Sequence, residues 1–195
     1  MAKKESTLKN MLIALMVISI VSGGVLGLIY GLTKDKIELN KKEKNEKAIK
    51  EVLKTDVDIA NIEPKDIDGL TYNMAYDANN NFIGVAVKTF SLNGFGGKIE
   101  LMVGLLSNGN INKVSVLSQT ETPGLGANMT NEEFIGQFNG KNPKEFILKV
   151  KKDKGDVDAI TAATISSRAV SEAIQKAVDG FEANKEQLMK GGNNE

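Results

Sequence analysis

Residues 99–117 run IELMVGLLSNGNINKVSVL, with a Ser-Asn-Gly-Asn turn between two apolar segments. Asn-Gly between runs of alternating hydrophobic residues is a strong short-range signal for a β-hairpin. The stretch therefore predicts two antiparallel strands, Ile99–Leu106 and Ile111–Leu117. A second hairpin is predicted upstream, where Leu70–Tyr76 and Phe82–Phe90 flank a polar turn cluster at 77–81.

The chain after the hairpins predicts helices and one more strand. Apolar residues at helical spacing over Ile165–Asn184 predict a long amphipathic helix. A short helix over Glu132–Phe138, capped by Thr130 or Asn131, and a last strand at Phe146–Val150 complete the pattern. The fold class expected is α+β, with a mostly antiparallel sheet, packed helices and one preceding transmembrane helix.

The N-terminal part predicts a membrane anchor. No charged residue lies between Lys9 and Lys34, and the 24 residues 10–33 are long enough to cross a bilayer. The alternative is a cleaved signal peptide, although the apolar run is long for one. Ser19, Gly23, Gly27 and Gly31 recur every four residues on one helix face, which allows a partner helix to approach closely. Glycines are also simply common in spanning helices.

The predicted organisation has five parts. These are a short cytoplasmic N-terminus at 1–9, the transmembrane helix at 10–33, a charged helical stalk or linker at 34–67, an extracytoplasmic domain at 68–185, and a frayed tail at 186–195. Three lysines precede the span and seven follow it closely. Counted naively, this favours a cytoplasmic domain, but a large following domain can override such counts.

The composition excludes several kinds of chemistry. The chain has no His, no Cys and no Trp. Histidine-dependent nucleophilic triads, Cys/His zinc sites and thiolate iron–sulfur clusters are therefore excluded, and no metal site is predicted. A formal net charge of zero gives no reason to expect nucleic acid as a partner. Redox activity would require a bound organic cofactor.

The segment Asp158-Ala159-Ile160-Thr161-Ala162-Ala163-Thr164 precedes the long helix. Its small residues allow a bulky ligand close to the backbone, and the free amides of a first helical turn suit a phosphate. The plain alternative is that Asp158 or Thr161 merely caps the helix and the small residues pack.

This segment resembles the attachment motif of proteins that carry covalent FMN, Asp-x-x-(Ser/Thr)-Gly-Ala-Thr. The resemblance implies that Thr164 is joined to FMN through a phosphoester bond, made by a separate flavin transferase from FAD. It also implies that Asp158 and Thr161 belong to the transferase recognition sequence, with Ala163 and Ser166 beside the cofactor. Ala162 stands where the family has glycine, which is tolerated unless the position needs a positive φ.

A second motif, Glu121-Thr122-Pro123-Gly124-Leu125-Gly126, resembles the signature of the G-subunit family of Rnf electron-transport complexes. Pro-Gly suits the two central positions of a type II turn. The resemblance implies that residues 121–125 contact the flavin. A third stretch, Asn93–Ile99, resembles the family's glycine–aromatic–glycine-glycine loop. It implies flavin contacts from Gly97 and Lys98, with Phe95 flanking the ring, and its alternative is a flexible hairpin loop.

Together these resemblances imply an electron-carrying subunit, not catalytic alone, of a membrane-bound, ion-translocating ferredoxin:NAD oxidoreductase. Its expected partners are the other membrane subunits of an Rnf complex, reached through the transmembrane helix, and the flavin transferase. Its expected place is the inner membrane, single-pass, with the domain outside. Three alternatives stay open: a C-type subunit of a Na⁺-pumping NADH:quinone reductase, a non-redox membrane-tethered binding or structural domain, and a stand-alone flavin reductase.

Overall fold

The computed structural model describes residues 7–55 and 57–189. Most of the predicted N-terminal segment 1–9 and the end of the predicted tail 186–195 lie outside the described residues. The chain divides into two compact units, Met1–Glu43 and Lys44–Glu195.

The first unit is helical. Helix α1 spans Leu8–Val52, and its residues up to Glu43 belong to this unit. Its N-terminal half is long and apolar enough to cross a membrane, and its large apolar side chains are exposed on all sides. A helix that is apolar all round needs an apolar environment to cover it. The predicted span at 10–33 lies within this helix.

The second unit contains a five-stranded antiparallel sheet in which each strand pairs with the next along the chain. The strands are β1 Asn61–Ile67, β2 Leu70–Tyr76, β3 Phe82–Gly94, β4 Gly97–Leu106 and β5 Ile111–Ser118. Both predicted hairpins, β2–β3 and β4–β5, are confirmed, and so is the α+β class. Strand β1 is an additional edge strand within the segment predicted as a stalk.

Two further helices follow the sheet: a short helix α2, Glu132–Ile135, and a long helix α3, Thr164–Met189. Helix α3 covers one face of the sheet. Alternate residues of the central strands, such as Val85 and Val87, join Ile174 and Phe181 of the helix in the main core. Thr89 Oγ1 donates a 3.0 Å hydrogen bond to the Ala173 carbonyl, which fixes the helix along β3.

The opposite face of the sheet is covered by the last turns of α1. Ala48, Val52 and Leu53 form a second core with Ala86 and Met102, residues that point away from α3 because strand side chains alternate. Asn112 Nδ2 donates to the Val52 carbonyl at 2.7 Å, and Lys44 Nζ donates to the Leu117 carbonyl. The end of the predicted stalk 34–67 is therefore part of the folded domain.

Three local predictions differ from the structure. Phe146–Val150 is not a strand, since its only ladder contact among the described residues is an isolated bridge from Val150 to Val157. Helix α2 begins after Asn131, as predicted, but no side-chain hydrogen bond caps it. The region after Lys185 is helical to Met189, because Leu188 is fully buried and its carbonyl accepts a hydrogen bond from Tyr76 Oη.

Candidate functional site

Three segments that are distant in the sequence meet around one cavity of about 330 Å³. They are the β3–β4 hairpin tip, the turn after β5 and the start of α3. The lining residues are Phe95, Glu121, Thr122, Leu125, Gly126, Ala162, Ala163, Thr164, Ile165 and Ser166. Each of the three sequence motifs thus contributes to the wall of the same cavity.

The turn after β5 has the geometry that its sequence predicts. The Leu125 amide donates to the Thr122 carbonyl at 3.1 Å, and Gly124 has a φ of 76°. A positive φ at the third position is the mark of a type II turn, for which glycine is preferred. The turn brings Thr122 and Leu125 to the cavity wall.

A second turn precedes α3. The Ala163 amide donates to the Ile160 carbonyl at 3.0 Å, and Ala162, in the third position, has a φ of 60°. A positive φ is the conformation in which alanine is less favourable than glycine, because the left-handed region crowds the Cβ atom. The position therefore holds the conformation that glycine would adopt without strain.

Thr164 is the first residue of α3 and lies half-buried on the cavity wall. The amides of Thr164, Ile165 and Ser166 belong to the first turn, where helix geometry provides no intrahelical acceptor. Ser167 fastens the turn to the helix, since its Oγ accepts from the Ile160 amide at 2.9 Å and donates to the Ala163 carbonyl at 3.0 Å. The Thr164 hydroxyl and the first-turn amides thus belong to residues that line the cavity.

Glu121 connects the three segments. Its side chain is 6% exposed. Oε1 accepts from the Gly96 amide at 3.0 Å, and Oε2 accepts from Ser166 Oγ at 2.9 Å. Thr120 Oγ1 adds a 2.7 Å hydrogen bond to the Gly96 carbonyl. The hairpin tip is therefore attached to the turn after β5, and that turn to α3.

Lys98 and Gly97 do not line the cavity. Lys98 Nζ lies 2.6 Å from Glu100 Oε1 and 4.7 Å from the centre of the Phe90 ring. Because side chains alternate along β4, Lys98 shares the face of Glu100 rather than that of the buried Ile99. The lining of this cavity therefore gives no support to the flavin contacts predicted for Gly97 and Lys98.

Asp158 and Thr161 line a neighbouring depression of about 390 Å³, and Pro123 lines neither cavity. Gly124, Leu125 and Ala162 border this depression as well. The Asp158 carboxylate lies 2.7 Å from Lys151 Nζ. Gln137 holds the Asp158 backbone through two hydrogen bonds, of 2.8 and 3.1 Å. The attachment motif thus presents one side to each cavity.

Among the described residues, no basic side chain lines the 330 Å³ cavity, and Glu121 is its only ionisable residue. The single arginine of the chain, Arg168, makes two hydrogen bonds to Asp153, of 2.6 and 2.7 Å. The hydrogen bond from Arg168 holds the pKa of the Asp153 carboxyl below its usual range. An anionic group in the cavity would therefore rely on helix amides and the helix dipole.

The rim of the cavity is apolar and exposed. Phe95, Leu125 and Ile165 are 71%, 42% and 49% exposed. A surface in contact with water rarely carries three large apolar side chains around one opening unless a ligand or partner covers them. Ile165 and Gly126 were not among the predicted contacts. Ile165 could have been found from the sequence, because it is a bulky apolar residue directly after the attachment motif.

These features fit a ligand with a flat apolar part and one phosphate. The rim suits the flat part, and the first-turn amides beside the Thr164 hydroxyl suit the phosphate. A larger groove of about 1000 Å³ runs along α3, but it shares only Ile165 with this cavity. The larger groove contains neither the attachment threonine nor the turn after β5.

Comparison with known proteins agrees with this site. Residues 94–179, which include two of the motifs and all but Asn93 of the third, match a family model described as an FMN-binding domain. The G subunit of an ion-translocating oxidoreductase complex from Methanosarcina acetivorans is 35% identical over 90% of this chain and 94% of that protein. The G subunit of a Na(+)-translocating ferredoxin:NAD(+) oxidoreductase complex from Acetobacterium woodii is 28% identical over 86% and 88%, respectively.

A solved structure shares the fold. The C subunit of a Na(+)-translocating NADH-quinone reductase from Parabacteroides distasonis aligns with a TM-score of 0.55. The alignment covers 78% of this chain and 95% of that chain at 19% sequence identity. At this identity the likeness concerns the fold of the domain alone.

Proposed function

Because the chain belongs to the family of G subunits of ion-translocating oxidoreductase complexes, we propose that it is the electron-carrying flavoprotein subunit of an Rnf-type ferredoxin:NAD oxidoreductase. The observation that carries this proposal is the meeting of three motifs around one cavity that includes Thr164. The N-terminal apolar helix anchors the chain in the membrane.

Bound FMN supplies reversible electron uptake, which no side chain of a chain without Cys, His and Trp supplies. The protein's residues provide the binding. Thr164 provides the hydroxyl that forms the phosphoester, and the first-turn amides of α3 hold the phosphate. Phe95, Leu125 and Ile165 cover the apolar ring system.

The covalent bond requires a second enzyme of the flavin-transferase class with FAD as the donor. Thr164 Oγ forms a bond to the flavin-side phosphorus, the bond between the two phosphates breaks, and AMP leaves. The hydroxyl proton is released. Asp158 and Thr161 lie on the outer side of the motif, on the neighbouring depression, which leaves them accessible to such an enzyme.

The test is to co-express the chain with a flavin transferase and examine the denatured protein. We expect a fluorescent band and a peptide in which Thr164 carries FMN less one water. Absence of flavin, when the same transferase loads a known substrate chain, would overturn the proposal in favour of a non-redox tethered domain. Co-purification of other membrane subunits distinguishes a complex subunit from a stand-alone reductase.

We also propose that the domain lies on the outer side of the membrane. A covalent cofactor suits that side, because a flavin held only by weak contacts would be lost to the surroundings. A membrane-impermeant amine reagent applied to intact cells should label the exposed lysines of the domain, such as Lys144 and Lys152. Labelling that appears only after permeabilisation would place the domain inside.

A further inference from the structure

Glu121 is a buried acid whose two oxygens serve different parts of the site. It accepts the Gly96 amide with one oxygen and Ser166 Oγ with the other, and it is 6% exposed. We infer that Glu121 is a positioning residue that holds the flavin cavity together and, through its negative charge, lowers the reduction potential of the flavin. The second part rests on the proposed function.

The packing around the carboxylate leaves little freedom. A Cβ added at Gly94 would lie 2.6 Å from Glu121 Oε1, and one added at Gly126 would lie 2.7 Å from Oε2 and 2.5 Å from Ser166 Oγ. Glycine at both positions allows the hairpin tip and the turn to close around the acid. The carboxylate is therefore a fixed part of the cavity wall.

The sign of the electrostatic effect follows from the described residues that line the cavity. Glu121 is their only ionisable member, whereas Lys98 is directed to Glu100 and Phe90. Both carboxylate oxygens accept hydrogen bonds, which suits the ionised form. Charges interact more strongly in a partly buried site than in water. A fixed negative charge opposes the addition of an electron to a ligand in the same cavity.

The experiment is a redox titration of the flavin-loaded chain, with dithionite as the reductant and mediator dyes, comparing wild type with Glu121→Gln. Glutamine keeps the shape, can accept the Gly96 amide and can donate to Ser166 Oγ, so only the charge is lost. We expect the midpoint potential to rise by at least the equivalent of a tenfold change in the reduction equilibrium. For a one-electron couple this is about 59 mV.

Two further variants separate charge from loosening of the site. Lys98→Met removes a charge that does not line the cavity and should leave the potential unchanged. Ser166→Ala removes one hydrogen bond from the carboxylate but keeps its charge, so the potential should fall. If Glu121→Gln and Ser166→Ala both raise the potential, loosening of the site explains the effect and the inference is overturned. An unchanged potential in Glu121→Gln overturns it as well.

The outcome remains decisive if Glu121→Gln does not carry flavin. Ser166→Ala then becomes the test, and an unchanged or raised potential contradicts the inference. Failure of the proposed function is distinguishable, because in that case the wild-type chain itself would carry no flavin.

The positioning role of Glu121 is measured separately, on the unloaded proteins. Glu121→Ala should lower the midpoint of thermal unfolding more than Glu100→Ala does.

Discussion

Gly104 lies directly against the backbone of Val52, and a Cβ added at Gly104 would collide with the Val52 carbonyl oxygen. That carbonyl also accepts the 2.7 Å hydrogen bond from Asn112 Nδ2. The end of α1 thus packs against β4 at a place where any side chain larger than that of Gly104 would fill the space. Packing of this kind makes residues 44–53 part of the domain rather than a linker in front of it.

Gly104→Ala should destabilise the domain by about 1–3 kcal/mol, the usual cost of overpacking a well-filled core. Hydrogen exchange of residues 44–53 should increase more than that of α3, because the clash lies under α1. Thr55→Ala, at a half-buried residue whose hydroxyl bonds the Val57 backbone, is the control. Unchanged protection of residues 44–53 would contradict the packing described for Val52.

Ala162→Gly should stabilise the domain. The alanine has a φ of 60°, a region that costs an L-residue about 1–2 kcal/mol, and the added freedom of glycine in the unfolded chain offsets about 0.4–1 kcal/mol. We expect a net gain of about 0.5–1 kcal/mol in the free energy of unfolding, measured by denaturant titration. Ala163→Gly, at a buried neighbour, should destabilise. A loss of stability in both variants would argue against strain at Ala162.

Thr164→Val should abolish covalent flavin and leave the fold intact, because valine has nearly the same shape but no hydroxyl. Thr164→Ser keeps the hydroxyl and should retain the flavin on a denaturing gel. Thermal unfolding of the unloaded proteins serves as the control for folding. Flavin that remains on the valine variant would assign the attachment to another residue.

Replacing Gly23 and Gly27 together with leucine should weaken assembly with partner membrane subunits, because both glycines lie on one face of α1 and leave open space there. The measurement is co-purification of those subunits in mild detergent. Val25→Leu, about 160° around the helix from both glycines, is the control. Equal recovery in all three proteins would show that this face makes no close helix contact.

Local turn chemistry made much of the sheet predictable. The Asn-Gly turn and the polar cluster at 77–81 marked both hairpins, and β2 to β5 lie close to the predicted ranges. Strand β1 was not predicted because it is an edge strand that contains Pro64 and charged residues and has no fully buried side chain. Its pairing with β2 depends on tertiary contacts that short-range patterns do not encode.

The two faces of the sheet explain the other differences. Ala48 and Val52 look sparse among lysines and glutamates in the sequence, yet they fill the second core because Ala86 and Met102 point to that side. Phe146–Val150 has the apolar content of a strand, but among the described residues it has no neighbouring strand with which to pair. Leu188, in the predicted frayed tail, is buried, and its carbonyl accepts a hydrogen bond from β2.

For the site, the sequence predicted the three motifs but not the charges around them. Lys98 follows two glycines of the hairpin tip, which suggested a cation beside the flavin, but strand alternation directs it to Glu100. Glu121 is one residue of a signature in the sequence, and only the fold places Gly96 and Ser166 on its two oxygens. Long-range contacts of this kind are set by topology rather than by local pattern.

A cavity whose described lining includes no lysine or arginine has a consequence for the supply of cofactor. With no cation there to attract a free phosphate, recapture of FMN from dilute solution would rely on the helix amides alone. Loading by a covalent bond, as in the proposed function, is then a single event rather than an exchange equilibrium. On the proposed function, the fraction of working subunits is fixed by the rate of loading relative to the rate of synthesis. On the same proposal, chains that are not loaded during maturation would stay empty at any concentration of free flavin.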